Sequence, residues 1–285
     1  MKKSLKVFGT FAMLLSLAAC QQNLGKEVTA DEAARARANI EQKAQEQMPN
    51  AYTLTLKESM KVSGGGQNIS SNMEMKLEYN IEKLYAHMYM KESGVGITST
   101  KTVTEKSDQW VYYKDGKLYY VRYAESTEEA KPTKEYTEAT IAEAQAKTQV
   151  LGRVLESEVF EADLEELEDS LSEITGSYTA QYPGMKVEAK VGYYSTGDGN
   201  LSYKASAKGS YKETSINATV NYSLSFVATI NDYLLANGSA NASLTAKVGK
   251  ESVKLSVSMS ISSKKGCSVS YPDLKDYTKG TAEMD

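Results

Sequence analysis

The sequence of 285 residues contains few of the side chains from which catalytic and metal sites are commonly built. It has one histidine, His87, and two cysteines, Cys20 and Cys267. No Gly-x-Ser-x-Gly elbow positions a serine nucleophile, and the spacings typical of zinc, calcium and phosphate-binding loops are missing. We therefore expect a protein that is not an enzyme and that has no catalytic residue, no metal and no cofactor.

His87 and Cys267 are the two residues that come nearest to a catalytic or metal-binding role. His87 falls on the polar face of a predicted hairpin beside Lys76, where we expect an ordinary exposed histidine. Cys267 follows the turn sequence Lys264-Lys265-Gly266 without a second histidine in the chain, so we expect a structural thiol. An enzyme would instead need a cleft with convergent carboxylates around His87 or Tyr89.

Long apolar runs are also scarce, and the one pronounced run lies near the start of the sequence. Three lysines within the first six residues precede Val7 to Leu17, which is the layout of a secretory signal peptide over residues 1–19. The stretch Leu17-Ala18-Ala19-Cys20 resembles the lipobox of bacterial lipoproteins. This resemblance implies acylation of Cys20, for example with palmitate, and a lipid-anchored protein on the exported side, extracellular or periplasmic, of a bacterial cell membrane. An ordinary secretory cleavage site with an incidental cysteine is the alternative.

Basic side chains are outnumbered by acidic ones. Removal of residues 1–19 lowers the number of lysines and arginines from 33 to 30 against 37 acidic residues, so the net charge becomes −7. Such a chain is not expected to bind nucleic acid or anionic lipid headgroups through bulk electrostatics. With Cys20 acylated, Cys267 has no partner for an intramolecular disulfide, and the core must supply the stability. We expect a monomer on a polar tether, residues 20–29, of at most about 30 Å.

Local patterns predict the elements that follow the tether. Thr29, with Glu32 three residues later, begins a helix that ends before Pro49-Asn50. Beyond this helix the apolar period becomes two, which predicts strands. Two hairpins are indicated, one with a loop over residues 80–83 and one with an Asp115-Gly116 turn.

The middle of the chain is predicted to be helical. A polar loop over residues 125–138 is followed by leucines near heptad spacing in residues 137–174, with acidic residues on the opposite face. Both one helix and two helices fit this pattern. We expect the acidic face to be solvated and not to hold a cation.

The C-terminal third alternates apolar residues with Ser, Thr, Asn and Lys, which predicts antiparallel strands with one covered and one solvated face. Alanine is common on the covered face, and small side chains there either admit a helix closely or leave open volume. Methionines on one face of the first hairpin suit a flexible apolar ligand or simply fill a core. The predicted lining of a ligand cavity is Met73, Met75, Met88, Met90, Ala205, Ala218, Ala228, Leu244 and Ala246.

The order of these elements, from the lipobox to a final Tyr271-Pro272-Asp273, resembles that of the LolA/LppX-like lipoproteins. The resemblance covers about Asp31 to Tyr277. It implies an α+β fold with a strongly curved antiparallel sheet, an incomplete barrel, whose concave face is covered by helices and can hold acyl chains. It transfers no individual binding residue. We therefore expect a single domain over residues 30–285.

These features together predict a membrane-anchored lipoprotein that binds a lipid or another hydrophobic ligand between sheet and helices. The alternative is a structural or interaction module of the cell surface without a small-molecule ligand. Its face rich in Ser, Thr and Tyr would then meet a protein or a glycan. Absence of an apolar cavity beneath residues 137–174 would favour this alternative.

Overall fold

The computed structural model describes residues 24–46, 49–64, 67–95, 101–155, 186–197, 199–213, 217–231 and 234–280. Most of these residues lie in strands. The strands are β1 Lys26–Val28, β2 Ala51–Gly64, β3 Gln67–Asn80, β4 Tyr85–Val95, β5 Thr102–Lys114, β6 Lys117–Ser126, β7 Thr133–Thr140, β8 Lys186–Ser195, β9 Leu201–Glu213, β10 Ala218–Asn231, β11 Leu234–Val248, β12 Glu251–Lys265 and β13 Thr278–Lys279. The α-helices are α1 Ala30–Glu46 and α2 Glu143–Leu155, and a short 3-10 helix covers Leu274–Asp276.

The strands form one sheet with the hydrogen-bonded order β1-β8-β9-β10-β11-β12-β2-β3-β4-β5-β6-β7-β13. Strands β7 and β13 pair in parallel over two residues, and the other registers described are antiparallel. Among the described residues no pairing joins β1 to β13, so the sheet is open. The prediction of a large antiparallel sheet is confirmed, and in this part of the chain the helices form a much smaller share of the fold than predicted.

Backbone contacts divide the chain into two compact units. Unit 1 takes in Met1–Met48, Glu58–Ser71 and Glu161–Ser262. Unit 2 takes in Pro49–Lys57, Asn72–Phe160 and Ser263–Asp285. Each unit is therefore assembled from three separate stretches of sequence. The single domain expected over residues 30–285 stays a prediction.

Helix α1 of unit 1 begins with a capping box. The Thr29 hydroxyl accepts a hydrogen bond from the Glu32 backbone N–H at 3.3 Å, and the Glu32 carboxylate accepts one from the Thr29 N–H at 2.8 Å. The bonds from Thr29 lower the pKa of the Glu32 carboxyl. The helix then buries Ala33 and Ile40 in a core shared with β9, β10 and β11. The predicted start of this helix is confirmed.

Strands β8 to β12 of unit 1 are paired so that their apolar side chains share one face. Phe226 in β10 lies opposite Ala205 in β9 and Ala240 in β11. Directly paired residues point to the same side of a sheet, so the alternation in the sequence produces one apolar and one polar face. On the polar face, the hydroxyls of Ser223 and Ser243 hydrogen-bond at 2.9 Å.

Two hairpin turns in unit 2 join β3 to β4 and β5 to β6. In the second, Asp115 and Gly116 have φ of 50° and 79°, as a type I′ turn requires, which confirms the predicted turn. The first turn occupies residues 81–84, one position later than predicted. Leu84 has φ of 44° there, and its N–H donates to the Ile81 carbonyl at 3.2 Å.

Both faces of the β4–β6 sheet in unit 2 are covered. Helix α2 packs against β4 and β5 and buries Ala146 and Val150 completely. The Tyr113 hydroxyl, on the same face, donates to the Ile141 carbonyl at 3.3 Å. The opposite face is covered by the C-terminal segment, in which Cys267, Val269, Leu274 and Tyr277 pack against Tyr85, Tyr112 and Val121.

The end of the described chain is fastened to β7. Glu138 accepts hydrogen bonds from Lys279 at 2.7 Å and from Lys117 at 3.0 Å through the same Oε1 atom. These two lysines lower the pKa of the Glu138 carboxyl to about 2. In addition, the Gly280 N–H donates to the Tyr136 carbonyl at 2.7 Å. The C-terminal segment is therefore tied to unit 2 by both side-chain and backbone bonds.

The segment before α2 differs from the sequence-based expectation. The sequence predicts a loop over 125–138 and a helix over 137–174, but β7 occupies Thr133–Thr140 and α2 begins only at Glu143. Threonine and tyrosine side chains of β7 pair with residues of β6. This pairing makes residues 137–140 part of a strand, although the helical pattern was predicted to begin at 137. The rest of the predicted helical segment, residues 156–174, lies outside the described residues.

The predicted tether over residues 20–29 overlaps the sheet. Strand β1 pairs with β8, with Lys26 opposite Ser195, so residues 26–28 belong to the sheet. Gly25 has φ of 86°, and a Cβ atom there would lie 2.2 Å from the Ser195 carbonyl oxygen. A side chain at this position would therefore force the strand pair apart.

The predicted signal peptide and Cys20 lie in residues 1–23, outside the part of the chain that the structure describes. Within that described part, neither helix combines the length and the apolar character that a membrane crossing requires. The lipobox and the lipid anchor therefore stay predictions from the sequence.

Two glycines in open surroundings give a matched test of the second hairpin turn. Nothing lies within 4 Å of a Cβ atom added at Gly116 or at Gly152, but Gly116 has positive φ whereas Gly152 lies inside α2. We expect Gly116→Ala to lower the free energy of unfolding by about 1 kcal/mol. We expect Gly152→Ala to raise it by roughly 0.5 to 1 kcal/mol. Urea unfolding measures both changes, and shifts of the same sign would contradict the turn conformation.

Candidate functional site

The nine predicted cavity-lining residues divide between the two units. The methionines belong to unit 2, where Met90 is exposed and Met73, Met75 and Met88 are half-buried. The other five belong to unit 1. Ala246 is half-buried there and Leu244 is exposed, and the buried ones are Ala205, Ala218 and Ala228. None of the nine lines either of the two clefts described below, so their role in ligand binding stays a prediction.

The five residues in unit 1 share the apolar face of its sheet, and α1 covers one end of that face around Ala228 and Ile230. Toward the other end, Leu244, Val248 and Val253 keep 38%, 48% and 41% of their surface exposed. The register places six apolar residues side by side there on β10, β11 and β12. This apolar strip consists of Val220, Tyr222, Leu244, Ala246, Val248 and Val253.

A cleft of about 520 Å³ opens in unit 2, and we call it the His87 cleft. One wall comes from the strands and the other from the segment 264–270: Lys76, Glu78, Tyr85, His87 and Trp110, facing Lys264, Lys265, Gly266, Cys267, Ser268 and Ser270. Strand β2 holds the second wall in place. The Gly266 N–H donates to the Ala51 carbonyl at 2.7 Å, and the Gly266 carbonyl accepts from the Thr53 hydroxyl at 2.8 Å.

Basic and acidic side chains alternate in a row from β3 through β4 to β5 at this cleft. Lys76 Nζ lies 2.9 Å from one Glu78 oxygen, and His87 Nδ1 lies 3.5 Å from the other. His87 Nε2 lies 2.9 Å from Asp108 Oδ1, and Lys106 Nζ lies 3.2 Å from Asp108 Oδ2. The two carboxylate side chains are each only 10% exposed, so these partners replace the water that an isolated carboxylate would need.

His87 is held on its edges and on one face. Its ring stacks on Trp110, directly opposite in the register, with centroids 4.7 Å apart and planes 4° from parallel. The expectation of an ordinary exposed histidine beside Lys76 is wrong, because the side chain is only 15% exposed and contacts Glu78 and Asp108. The first hairpin turns one position later than predicted, and Glu78 lies beside His87 where the sequence predicts Lys76.

The row fixes the protonation of one carboxylate. Burial raises the pKa of the Asp108 carboxyl, but the hydrogen bonds from His87 and Lys106 outweigh burial, and the pKa lies below its ordinary value. Asp108 is therefore ionised at neutral pH. Both ring nitrogens of His87 face carboxylates, so neither nitrogen is directed into the open cleft.

The thiol in the cleft wall is not activated. Burial and the nearby Glu78 carboxylate raise the pKa of the Cys267 thiol, so it is protonated at neutral pH. It packs against the core of unit 2 around Tyr85 and Tyr112, as expected of a structural thiol. Burial also raises the pKa of the Tyr85 hydroxyl to about 12, and this hydroxyl donates to the Ser270 carbonyl at 3.2 Å. Among the described residues, no group of three or more His, Cys, Asp or Glu side chains is arranged to hold a metal ion.

Reasoning from the sequence missed Glu78, Asp108 and Trp110 as partners of His87. Strand alternation does place Glu78 and His87 on the same face of the first hairpin, and this is the one signal that the sequence offers. Asp108 and Trp110 reach His87 through the pairing of β4 with β5, in which Asp108 lies opposite Tyr89. No local motif marks that register.

A second cleft, also of about 520 Å³, lies on the polar face of unit 1. Eight of its eleven lining residues are polar or charged: Ser59, Lys61, Ser223, Ser225, Asn241, Ser243, Ser256 and Ser258. We call it the serine groove. Its hydroxyl and amide groups are suited to polar, uncharged partners.

Comparisons with known proteins add little. No family model and no curated protein matches the chain. A beta-barrel-like protein of the domain of unknown function DUF1849 from Brucella abortus is 8% identical with a TM-score of 0.23, over 75% of this chain and 99% of that chain. A DUF1329 family protein from Desulfovibrio piger is 10% identical with a TM-score of 0.21, over 83% and 95%. A bacterial polysaccharide outer membrane secretin is 10% identical with a TM-score of 0.21, over 76% and 65%. TM-scores of this size support no inference about fold or function.

The lowered pKa of Asp108 leads to a prediction about acid stability. Because the folded pKa lies below the unfolded value of about 3.9, the ionised carboxyl stabilises the protein above that pH. This contribution is lost as the pH falls through the folded pKa. We expect Asp108→Asn to lower the free energy of unfolding at neutral pH by on the order of 2 kcal/mol, and to make the loss of stability below about pH 4 shallower.

Urea unfolding across this pH range measures both effects, and Asp276→Asn is the matched control. Asp276 is 83% exposed and lies 4.0 Å from Lys134, so its loss is expected to change stability by less than about 0.5 kcal/mol. Equal effects of the two substitutions would contradict the stabilising role of the ion pairs around Asp108. So would a loss of stability below about pH 4 that is as steep in Asp108→Asn as in the unsubstituted protein.

Proposed function

We propose that the protein is a lipid-anchored bacterial lipoprotein that binds an acyl chain or a similar hydrophobic molecule on the apolar face of unit 1. The observation that carries this proposal is the apolar strip. Single exposed apolar residues are ordinary on a protein surface, whereas contiguous exposed patches mark binding surfaces. The proposal assigns no catalytic step to the protein.

The strip has dimensions that suit an extended apolar ligand. It crosses three neighbouring strands, which amounts to about 10 Å, and from Leu244 to Val248 it runs about 13 Å along β11. Ala246 lies in its middle, between the paired Val220 and Val253, and its side chain is smaller than those of the two valines. Each methylene that a ligand buries there would contribute about 0.8 kcal/mol.

The proposed anchor keeps unit 1 close to a source of such ligands. Strand β1 begins at Lys26, so the chain from Cys20 to the sheet spans at most about 20 Å. One acyl chain alone holds a protein to a membrane only marginally, and acylation with more than one chain gives a stable anchor. A sheet held at this distance on the exported side of the membrane would meet lipid directly.

The anchor is tested by metabolic labelling. We expect the intact protein to incorporate labelled palmitate and Cys20→Ala to incorporate none, because Cys20 is the proposed site of acylation. Cys267→Ala is the matched control, since that thiol is half-buried in unit 2 and is expected to leave labelling unchanged. Labelling of Cys20→Ala at the level of the intact protein would contradict the anchor.

The ligand site is tested by two neighbouring substitutions on opposite faces of β11. We expect Leu244→Lys to weaken uptake of a fluorescent fatty-acyl probe about tenfold, because an ammonium group would interrupt the apolar strip. Thr245→Lys adds the same charge on the polar face and is expected to leave uptake unchanged. Urea midpoints confirm that both variants are folded. Equal uptake by the two variants, or no uptake by the unsubstituted protein, would contradict the site.

An interaction module without a small-molecule ligand is the second candidate function. The serine groove favours it, because a polar groove on the wet face of the sheet is a surface that a glycan or a polar protein segment would fit. If a glycan or a polar peptide binds the unsubstituted protein saturably and binds the Ser223→Lys variant much more weakly, the result would support a partner in this groove. In that case the acyl probe would not bind.

A further inference from the structure

The side of the unit 1 sheet that contains the serine groove carries an excess of positive charge, although the complete chain has a net charge of −4. On β8, β9, β11 and β12, lysines recur at alternate positions that share a face with the groove serines. Each of these lysines is exposed: Lys190, Lys204, Lys208, Lys212, Lys247 and Lys254. Lys61, also exposed, lines the groove from β2. We call this side of the sheet the basic face.

Two glutamates share the basic face within the described strands of unit 1. Glu27 in β1 lies opposite Tyr194, and Glu188 in β8 lies opposite Lys208. Glu188 Oε2 and Lys208 Nζ form an exposed ion pair at 2.9 Å, so one of the lysines is neutralised. The remaining lysines still outnumber the remaining glutamate, and the face is positively charged in a chain that is acidic as a whole. Such a local excess of positive charge concentrates anions.

Lysines border the serine groove on more than one side. Lys208 lies opposite Ser223, and Lys254 lies two residues before Ser256 on β12. Cβ atoms of paired residues on neighbouring strands are about 5 Å apart, and residues two positions apart on one strand are about 7 Å apart. With Lys61 in the lining itself, a ligand in the groove would therefore have ammonium groups within reach at its edges.

The floor of the serine groove is a regular array of uncharged polar groups. Two neighbouring rows cross β10, β11 and β12, and they consist of Ser223, Ser243 and Ser256, and of Ser225, Asn241 and Ser258. Serine hydroxyls and the asparagine amide both donate and accept hydrogen bonds. The bond of 2.9 Å between two of these hydroxyls, on Ser223 and Ser243, leaves further donor and acceptor capacity on the array. The hydroxyl groups of sugars also donate and accept, so this array matches them.

We propose that the basic face of unit 1 binds an anionic polysaccharide, whose sugar hydroxyls contact the serine groove and whose anionic groups lie against the surrounding lysines. This proposal deepens the second candidate function, the interaction module, and does not depend on the acyl-chain site on the opposite face. A linear polymer fits the arrangement because Lys204, Lys208 and Lys212 follow each other along β9 at intervals of about 13 Å. Several weak contacts of one chain then add up to a stable complex.

Other anionic partners use only part of this surface. Single-stranded nucleic acid binds through aromatic side chains on which its bases stack, and none of the described residues that line the groove is aromatic. An anionic membrane would contact the lysines but would leave the groove of about 520 Å³ unoccupied. A polysaccharide with charged substituents uses both the lysines and the hydroxyl array.

The first experiment compares two polymers with the same sugar backbone, dextran sulfate and uncharged dextran. The full-length protein is held in a non-ionic detergent, and binding is followed by calorimetry. We expect saturable binding of dextran sulfate that weakens steeply as salt is added, because the contacts of exposed lysines are screened. Dextran is expected to bind at least about tenfold more weakly. Equal binding of the two polymers, or no binding of dextran sulfate at low salt, would overturn the proposal.

The second experiment removes charge from the basic face. We expect Lys204→Gln/Lys254→Gln to raise the half-saturating concentration of dextran sulfate about tenfold. Lys83→Gln/Lys131→Gln removes the same charge from two exposed positions of unit 2 and is the matched control. Because the net charge changes equally in both variants, a difference between them reports the place of binding. Equal effects of the two double variants would overturn the proposal.

The third experiment tests whether the groove contributes to binding. Ser256 and Ser260 lie on the same face of β12, but only Ser256 lines the groove. We expect Ser256→Ile to weaken the binding of dextran sulfate several-fold and Ser260→Ile to leave it unchanged, with urea midpoints confirming that both variants are folded. Polyglutamate, which has the charges without the sugar, is expected to bind more weakly than dextran sulfate.

Two results of the third experiment would overturn the polysaccharide as the partner. Polyglutamate that binds as tightly as dextran sulfate, with no effect of Ser256→Ile, would indicate an acidic protein segment instead. Vesicles containing phosphatidylglycerol that displace dextran sulfate and are bound equally by Ser256→Ile would indicate a membrane surface.

The acyl-chain site and the polysaccharide site can fail separately, because they lie on opposite faces of the sheet. Leu244→Lys is expected to weaken uptake of the fatty-acyl probe and to leave binding of dextran sulfate unchanged. Lys204→Gln/Lys254→Gln is expected to have the reverse effects. Loss of dextran sulfate binding in a folded Leu244→Lys variant would overturn the assignment of the polysaccharide to the basic face.

Discussion

Cross-strand register is the constraint on which the rest of the structure depends, because a slip by one residue would exchange the two faces of a strand. Strand β10 keeps its pairing with β9 from Ala218 to Ile230 without a shift, and its pairing with β11 shifts only between Thr229 and Ile230. This regularity collects the apolar side chains of unit 1 on one face. In unit 2, the pairing of β4 with β5 brings Asp108 and Trp110 to His87. Both candidate sites are thus consequences of register.

The sequence was enough to predict the features that depend on residues close together in the chain. The Asp115-Gly116 turn, the Thr29 capping box and the alternation of the C-terminal strands all appear as expected. The errors fall where distant pairing decides. Residues 133–140 form β7 because β6 is beside them, and residues 26–28 form β1 because β8 is beside them. A pattern confined to one segment contains no information about such a neighbour.

The same distinction explains which parts of the candidate sites were predictable. The apolar face of unit 1 follows from a period of two, so five of the predicted lining residues do share a face. The His87 cleft combines strands β3 to β5 with a segment that follows in the chain more than a hundred residues later, at 264–270. The two candidate surfaces therefore differ in chemistry, with an apolar strip and a groove rich in hydroxyl groups in unit 1 and two buried carboxylates with basic partners in unit 2.

The central claim is that unit 1 binds a hydrophobic ligand at its apolar strip. Native mass spectrometry of the full-length protein, purified gently from membranes and followed by solvent extraction, tests it most directly. The account predicts a bound lipid in addition to the covalent anchor, with markedly lower occupancy in Leu244→Lys than in Thr245→Lys. Protein that carries its anchor but no further lipid, or equal occupancy in the two variants, would contradict the account.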